Sequence, residues 1–295
     1  MTSKLKYQAK GNDIIIKELK DFDISHIIEC GQCFRWEKEK DGSYTIQAFS
    51  KAINVSQTGE EVIILNSTLQ EFEEIWIDYF DLNRDYDKIK KLLTENDPIM
   101  AQAIAYGQGM RLLNQDEWET LVSFLISQNS NIPRIKRAIK AVSESFGQPY
   151  TALNGRTFYT FPNPSEIYQC RDEDIDACRL GYRKSYITET AKEINIDHGK
   201  RLYNLKNEEY SSAYDYLLRL KGVGPKVANC VMLFSMEKYE SFPIDVWVKR
   251  IMSRLYGQDE NDLKGMEQFA KEKFGDLGGF AQQYLFYYIR ENHIL

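Results

Sequence analysis

Two side chains in the C-terminal half have the types and spacing to act on a single electrophilic carbon. Lys226 stands in the run LKGVGPKVANC (residues 220–230), directly after Pro225, and Asp245 follows 19 residues later in SFPIDVWVKRI. A neutral amine is a nucleophile, and a carboxylate near it can stabilise a cationic transition state or manage protons. Pro225 suits the first position of a helix. Lys226 is therefore expected at the second, where the helix macrodipole disfavours an ammonium by roughly 0.3–1 kcal/mol. Asp245, just after Pro243, is placed to cap the helix that follows. Without any chemistry, the same residues read as a helix corner and an N-cap. The two readings are compatible, because a capping aspartate has a fixed orientation.

Gly222, Val223 and Gly224 form a tight turn ahead of Pro225. Two glycines in three positions let the backbone approach a large anion, and the helix start behind them leaves N–H groups pointing outward. Such a turn can hold a phosphate without a charged side chain. Cys230 lies four residues after Lys226 on the same helical face, and Gln282 and Phe286 form another such pair. Cys30 and Cys33 make a C-x-x-C, but no second pair stands at a spacing that would complete a four-cysteine metal site.

These residues need a scaffold of two kinds. The first ninety or so residues contain DIIIKEL, SYTIQAFS, AINVSQT and EVIILNS, short and rich in Ile, Val, Tyr and Thr, separated by the turn signals KDGS and QTGEE. They predict an antiparallel sheet over residues 1–96, closed by a helix at TLQEFEEIWIDYF. From residue 97 to 295 the periodicity predicts helices almost throughout, in two subdomains. DEWETLVSFLISQN opens on a capping Asp and carries Trp118, Leu121, Val122 and Leu125 on one face. SAYDYLLRL and PKVANCVMLFSM, joined by KGVG, predict an antiparallel or steeply crossed helical hairpin at about 211–237.

The 295-residue chain has room for two or three subdomains; its net charge is −6 and its pI near 5.4. An acidic balance argues against indiscriminate binding to nucleic acid but leaves room for a local basic or backbone-amide site. No apolar run reaches the roughly 18 residues that span a bilayer, and MTSKLKYQAKGND lacks the apolar centre of a signal peptide. A cytoplasmic protein without membrane contact is expected. Five cysteines, an odd number spread over a long chain, do not read as a disulfide framework.

The run LLRLKGVGPKVANCVMLFSMEKYESFPIDVWVKRI, residues 217–251, resembles the helix-hairpin-helix and Gly/Pro...Asp signature of the base-excision DNA glycosylases. Within that superfamily the chain is most similar to the 8-oxoguanine DNA glycosylases. GQCFRW (31–36), the long segment from DPIMAQ to NIPRI (97–135), LGYRKSY (180–186) and GGFAQQYLF (278–286) carry that likeness, all in the family's order.

The resemblance implies an α+β protein: an N-terminal antiparallel sheet domain, then a two-part helix-hairpin-helix glycosylase fold with a DNA-binding cleft between its parts. It implies a monomeric, bacterial, bifunctional glycosylase and AP lyase, working at the nucleoid on duplex DNA that carries 8-oxoguanine opposite cytosine. Lys226 would attack C1′ as a neutral amine, which requires a pKa well below about 10.4, in the direction that burial and the positive helix end both push. Asp245 would stabilise charge on the sugar. Gly31, Cys230, Gln282 and Phe286 would hold the extruded base, Gly31 through a backbone carbonyl that attracts the N7–H of the lesion and repels N7 of guanine. Asn129, Arg134, Tyr182 and Arg183 would fill the gap and read the estranged cytosine. Gly222, Val223, Gly224 and Trp247 would meet phosphates. No cofactor or metal is required, although a structural monovalent cation could sit at the hairpin.

Two positions depart from the family's animal members, which have a histidine where Trp247 stands and an aspartate where Ile289 stands. The absence of cysteine after Cys230 removes the iron-sulfur cluster of the endonuclease III branch. Other readings are a glycosylase for a different damaged purine, a non-catalytic lesion-binding module that uses the hairpin as a phosphate clamp, and a redox protein built on Cys30 and Cys33.

Overall fold

The computed structural model describes residues 5–292. Its N-terminal part is an antiparallel sheet of β1 (Lys6–Lys10), β2 (Asp13–Lys17), β3 (Trp36–Lys38), β4 (Tyr44–Ala48), β5 (Lys51–Thr58) and β6 (Glu61–Leu65), in the order β1-β2-β6-β5-β4-β3. Alternation drives the inner strands. Ile14 and Ile16 of β2, Val55 of β5, and Val62 and Ile64 of β6 turn inward beneath Phe72, Trp76 and Phe80. Register pairs Lys10↔Asp13, Ala48↔Lys51 and Thr58↔Glu61 leave two-residue turns. Gly11 and Gly59 supply positive φ at two of them, whereas Phe49 and Ser50 adopt it without glycine.

The sequence expectation of an antiparallel sheet followed by helices matches this arrangement. The two edge strands, β1 and β3, lie outside the expected segments. β1 is largely exposed and carries lysine at both ends, so it lacks the alternation that marks a buried strand. A further small hairpin, β7 (Pro149–Thr151) with β8 (Thr157–Tyr159), interrupts the helical part.

The sheet and the helices have separate apolar cores, and the chain passes between them more than once. Tyr86, Ile89 and Leu93 pack with the helices, whereas Leu113 returns to the sheet. Cys30 and Phe34 belong to the helical core and Cys33 to the sheet core, so residues 30–34 form part of the seam. Two buried arginines tie that seam. Arg111 donates to the carbonyls of Asp21 and Asp81 at 2.7 Å each and of Lys20 at 3.1 Å. Arg35 pairs with Glu119 at 3.1 Å and donates to Gln47 at 3.0 Å and to the Tyr159 carbonyl. Among the described residues no helix is long and apolar enough to cross a membrane.

Candidate active site

The hairpin is built from the helices Tyr210–Arg219 and Pro225–Ser235. Gly222 takes φ +80°, and a Cβ there would fall 2.3 Å from Cγ of Tyr186, so both backbone and packing require glycine. Gln128 donates from Nε2 to the Gly222 carbonyl at 3.1 Å. Gly224 is the N-cap of the second helix and offers no side chain to its first N–H groups, which leaves them for a ligand. Asn229 secures the first turn: its amide donates to the Pro225 carbonyl at 2.9 Å, and its oxygen accepts from the Tyr210 hydroxyl at 2.8 Å.

Lys226 is half-buried on that turn, with Nζ 4.8 Å from the centroid of Phe124. Phe124 stacks on Phe234 at 5.6 Å and meets the edge of Phe34 at 5.8 Å. Asp245 caps the helix Val246–Tyr256 by accepting from the Val248 N–H at 2.8 Å. Burial raises the Asp245 pKa from its ordinary value, against the opposing effects of the Val248 N–H and the Lys226 charge. Burial likewise pushes the Cys230 thiol up to about 11, with Lys226 pulling the other way and Asp245 adding to the rise. Lys226 and Cys230 stand one turn apart on one helix, and Asp245 caps the next.

Gly31, Gln282 and Phe286 belong to a second group. Gly31 has φ +87°, and a Cβ on it would lie 3.6 Å from Phe286 and 3.0 Å from Nη1 of Arg290. Around it the carbonyls of Glu29, Cys30, Gln32 and Cys33 accept hydrogen bonds from Arg290, Gln283, Gln115 and Trp36 respectively. The Gly31 carbonyl has no such donor among the described residues. Gln282 is buried, and its Oε1 lacks a partner among them. The helix Gly278–Asn292 carries both Gln282 and Phe286, and it reaches the Lys226 helix through Gly279, where a Cβ would lie 2.1 Å from Leu233 Cδ1.

The third group faces solvent. Asn129 is exposed at φ +48°, and Tyr182 is 52% exposed. Arg183 lies 4.6 Å from the Tyr182 ring and donates to the carbonyls of Gln128 and Asn129. Arg134 is exposed on the first turn of Ile132–Phe146, the helix that follows Asn129. Trp247 is half-buried on the first turn after Asp245, 5.4 Å from the Arg250 guanidinium, and Ile289 is fully buried in the helical core. Cys30 and Cys33 are buried free thiols whose pKa values burial raises, an environment unsuited to redox exchange.

Sequence reading missed Phe124, Gln128 and Arg290. Arg290 stands four residues after Phe286, so helical spacing could have flagged it. Nothing in the sequence marks Phe124 as the ring beside Lys226.

The chain matches the N-terminal domain of 8-oxoguanine DNA glycosylase over residues 14–121 and the HhH-GPD superfamily of base excision DNA repair proteins over residues 122–275. A probable N-glycosylase/DNA lyase of Methanothermobacter thermautotrophicus is 32% identical over 237 residues, covering 73% of this chain and 74% of that one. The 8-oxoguanine glycosylase/lyase of Clostridium acetobutylicum, bound to double-stranded DNA with cytosine opposite 8-oxoG, superimposes with a TM-score of 0.93 at 40% identity, covering 99% of each chain. A structure of MBOgg1 with a low-affinity DNA ligand gives a TM-score of 0.94 at 46% identity, covering 99% of this chain and 100% of that one.

Proposed function

The chain belongs to the 8-oxoguanine DNA glycosylase family of helix-hairpin-helix repair proteins, and on that premise we propose that it excises 8-oxoguanine opposite cytosine from duplex DNA, with Lys226 as the nucleophile. It is an N-glycosylase and DNA lyase. The observation that carries the assignment of residues is Lys226, half-buried against Phe124 on the first turn of the second hairpin helix, with Asp245 capping the helix that follows.

The target base must leave the stack before C1′ can be reached. Asn129 and Tyr182 fill the gap, Arg134 offers donors to the unpaired cytosine, and Arg183 would join it by releasing the Gln128 and Asn129 carbonyls it holds. The turn Gly222–Gly224 and Trp247 take phosphates. The extruded base lies between Cys230 and Phe286, with Gln282 at its Watson–Crick edge, where the unpartnered Oε1 can accept. Gly31 offers a carbonyl to N7–H; guanine would set a lone pair against it. Neutral Lys226 then attacks C1′ as the C1′–N9 bond breaks and the base departs with the electron pair, while ionised Asp245 stabilises positive charge on the sugar. Ring opening gives the Schiff base, and loss of a C2′ proton expels the 3′ phosphate. The residues need no cofactor for these steps. A monovalent cation at the hairpin would use second lone pairs, because the carbonyls of Leu220 and Gly222 already accept from Val223 and Gln128.

Borohydride trapping on an 8-oxoguanine:cytosine duplex tests the mechanism. The unsubstituted chain should form a covalent adduct, and Lys226→Gln should form none. An adduct that persists in Lys226→Gln would remove Lys226 as the nucleophile. Faster release of another oxidised purine would reassign the substrate while leaving the lysine in place.

A further inference from the structure

The C-terminal helix meets the Gly31 segment along one face. Gln283, Phe286 and Arg290, at i, i+3 and i+7, lie against Cys30, Gly31 and Glu29 in turn. Arg290 does most to join the two segments. Its Nη2 donates to the Glu29 carbonyl at 2.6 Å, and its Nε is oriented by Glu291 at 2.8 Å. Its guanidinium carbon lies 5.4 Å from the Phe286 ring centroid. Nη1 is buried without an acceptor among the described residues, 3.0 Å from where a Gly31 side chain would begin.

We propose that Arg290 is a positioning residue for lesion discrimination, holding the open Gly31 carbonyl and the Phe286 ring at a fixed separation. This rests on the 8-oxoguanine reading above. A charge-assisted hydrogen bond to a carbonyl at a helix end is strong and directional. Glu29 is the last residue of the helix Ile24–Glu29, so anchoring its carbonyl fixes where the chain leaves that helix and enters Gly31. The aromatic contact fixes the same guanidinium against the ring on which the base would stack. One side chain thus sets the distance between two walls of the base pocket. The positive φ of Gly31 favours glycine, and a Cβ there would crowd Nη1 of Arg290 at 3.0 Å.

Abasic-site cleavage provides the control, because it needs Lys226 but no base pocket. Single-turnover excision should be measured on 8-oxoguanine:cytosine and guanine:cytosine duplexes, with borohydride trapping on an abasic duplex. Arg290→Met, which keeps an unbranched apolar side chain but no guanidinium, should slow lesion excision by roughly 10- to 100-fold, the range expected for losing a hydrogen bond to a charged group. Its preference for the lesion over guanine should narrow, and abasic trapping should stay within about twofold. Arg290→Lys should recover part of the loss. Excision by Arg290→Met within about threefold of the unsubstituted chain, a parallel fall in abasic trapping, or no recovery with lysine would each overturn the proposal. Failure of the unsubstituted chain to excise the lesion while still cleaving the abasic duplex would instead remove the 8-oxoguanine reading, and this inference with it.

Discussion

Asp245 serves the fold as a cap and, in the proposed reaction, serves as a charge, and pH separates the two duties. Burial raises its pKa, so protonation on acidification begins above the ordinary carboxylate value. The proposed reaction needs the ionised form. Single-turnover excision should therefore lose its acid limb at a pH above that of a solvent-exposed aspartate, and Asp245→Asn should show low activity without that limb. Stability runs the other way: a carboxylate with a raised native pKa contributes stability below its unfolded value, and that contribution is lost as pH rises through the raised one. Acid inactivation through Asp245 is consequently a loss of charge rather than of structure, which circular dichroism across the same range would check. The lesion-to-guanine ratio, if set by the peptide carbonyl of Gly31, should stay flat across that limb, because a peptide carbonyl does not titrate there.

Helix contacts decide whether these residues meet. Gly279 lets the Gly278–Asn292 helix approach Leu233, and its N–H donates to the Tyr239 carbonyl at 2.7 Å. Gly279→Ala should destabilise the protein by about 1–3 kcal/mol through overpacking, and Leu233→Ala, which costs about 2–5 kcal/mol alone, should cost less in the Gly279→Ala chain, as thermal unfolding of the two single variants and the double variant would show. The local features were legible before the structure. Pro225 and the Asp245 cap announce helix starts, and short runs of Ile and Val announce β2 and β6. Edge strands β1 and β3 were hidden because exposure removes the alternation. Gln128 to Gly222 and Arg290 to Glu29 were hidden for another reason: their partners lie 94 and 261 residues away. Periodicity reports which face of a helix is buried, not what it is buried against.

At the scale of the molecule, buried polar ties hold the sheet to the helices, among them Arg35, Arg111 and the contact of Arg290 with Glu29. Arg35 is nearly buried and pairs with Glu119. Arg35→Met leaves the Glu119 carboxylate, whose pKa burial already raises, without its cation. Calorimetry should show a loss of about 3–5 kcal/mol, the usual result of removing one partner of a buried pair. The Gly31 segment occupies the same seam, with Cys30 in one core and Cys33 in the other. Its open carbonyl is therefore aimed by the docking of two bodies rather than by either alone. If Gly31 reads the lesion as proposed, accuracy is a property of assembly. Warming that loosens the sheet against the helices would blur the choice between damaged and normal bases while Lys226 and Asp245, both on the helical side, went on cutting. Such an enzyme would become a mutagen before it became inactive.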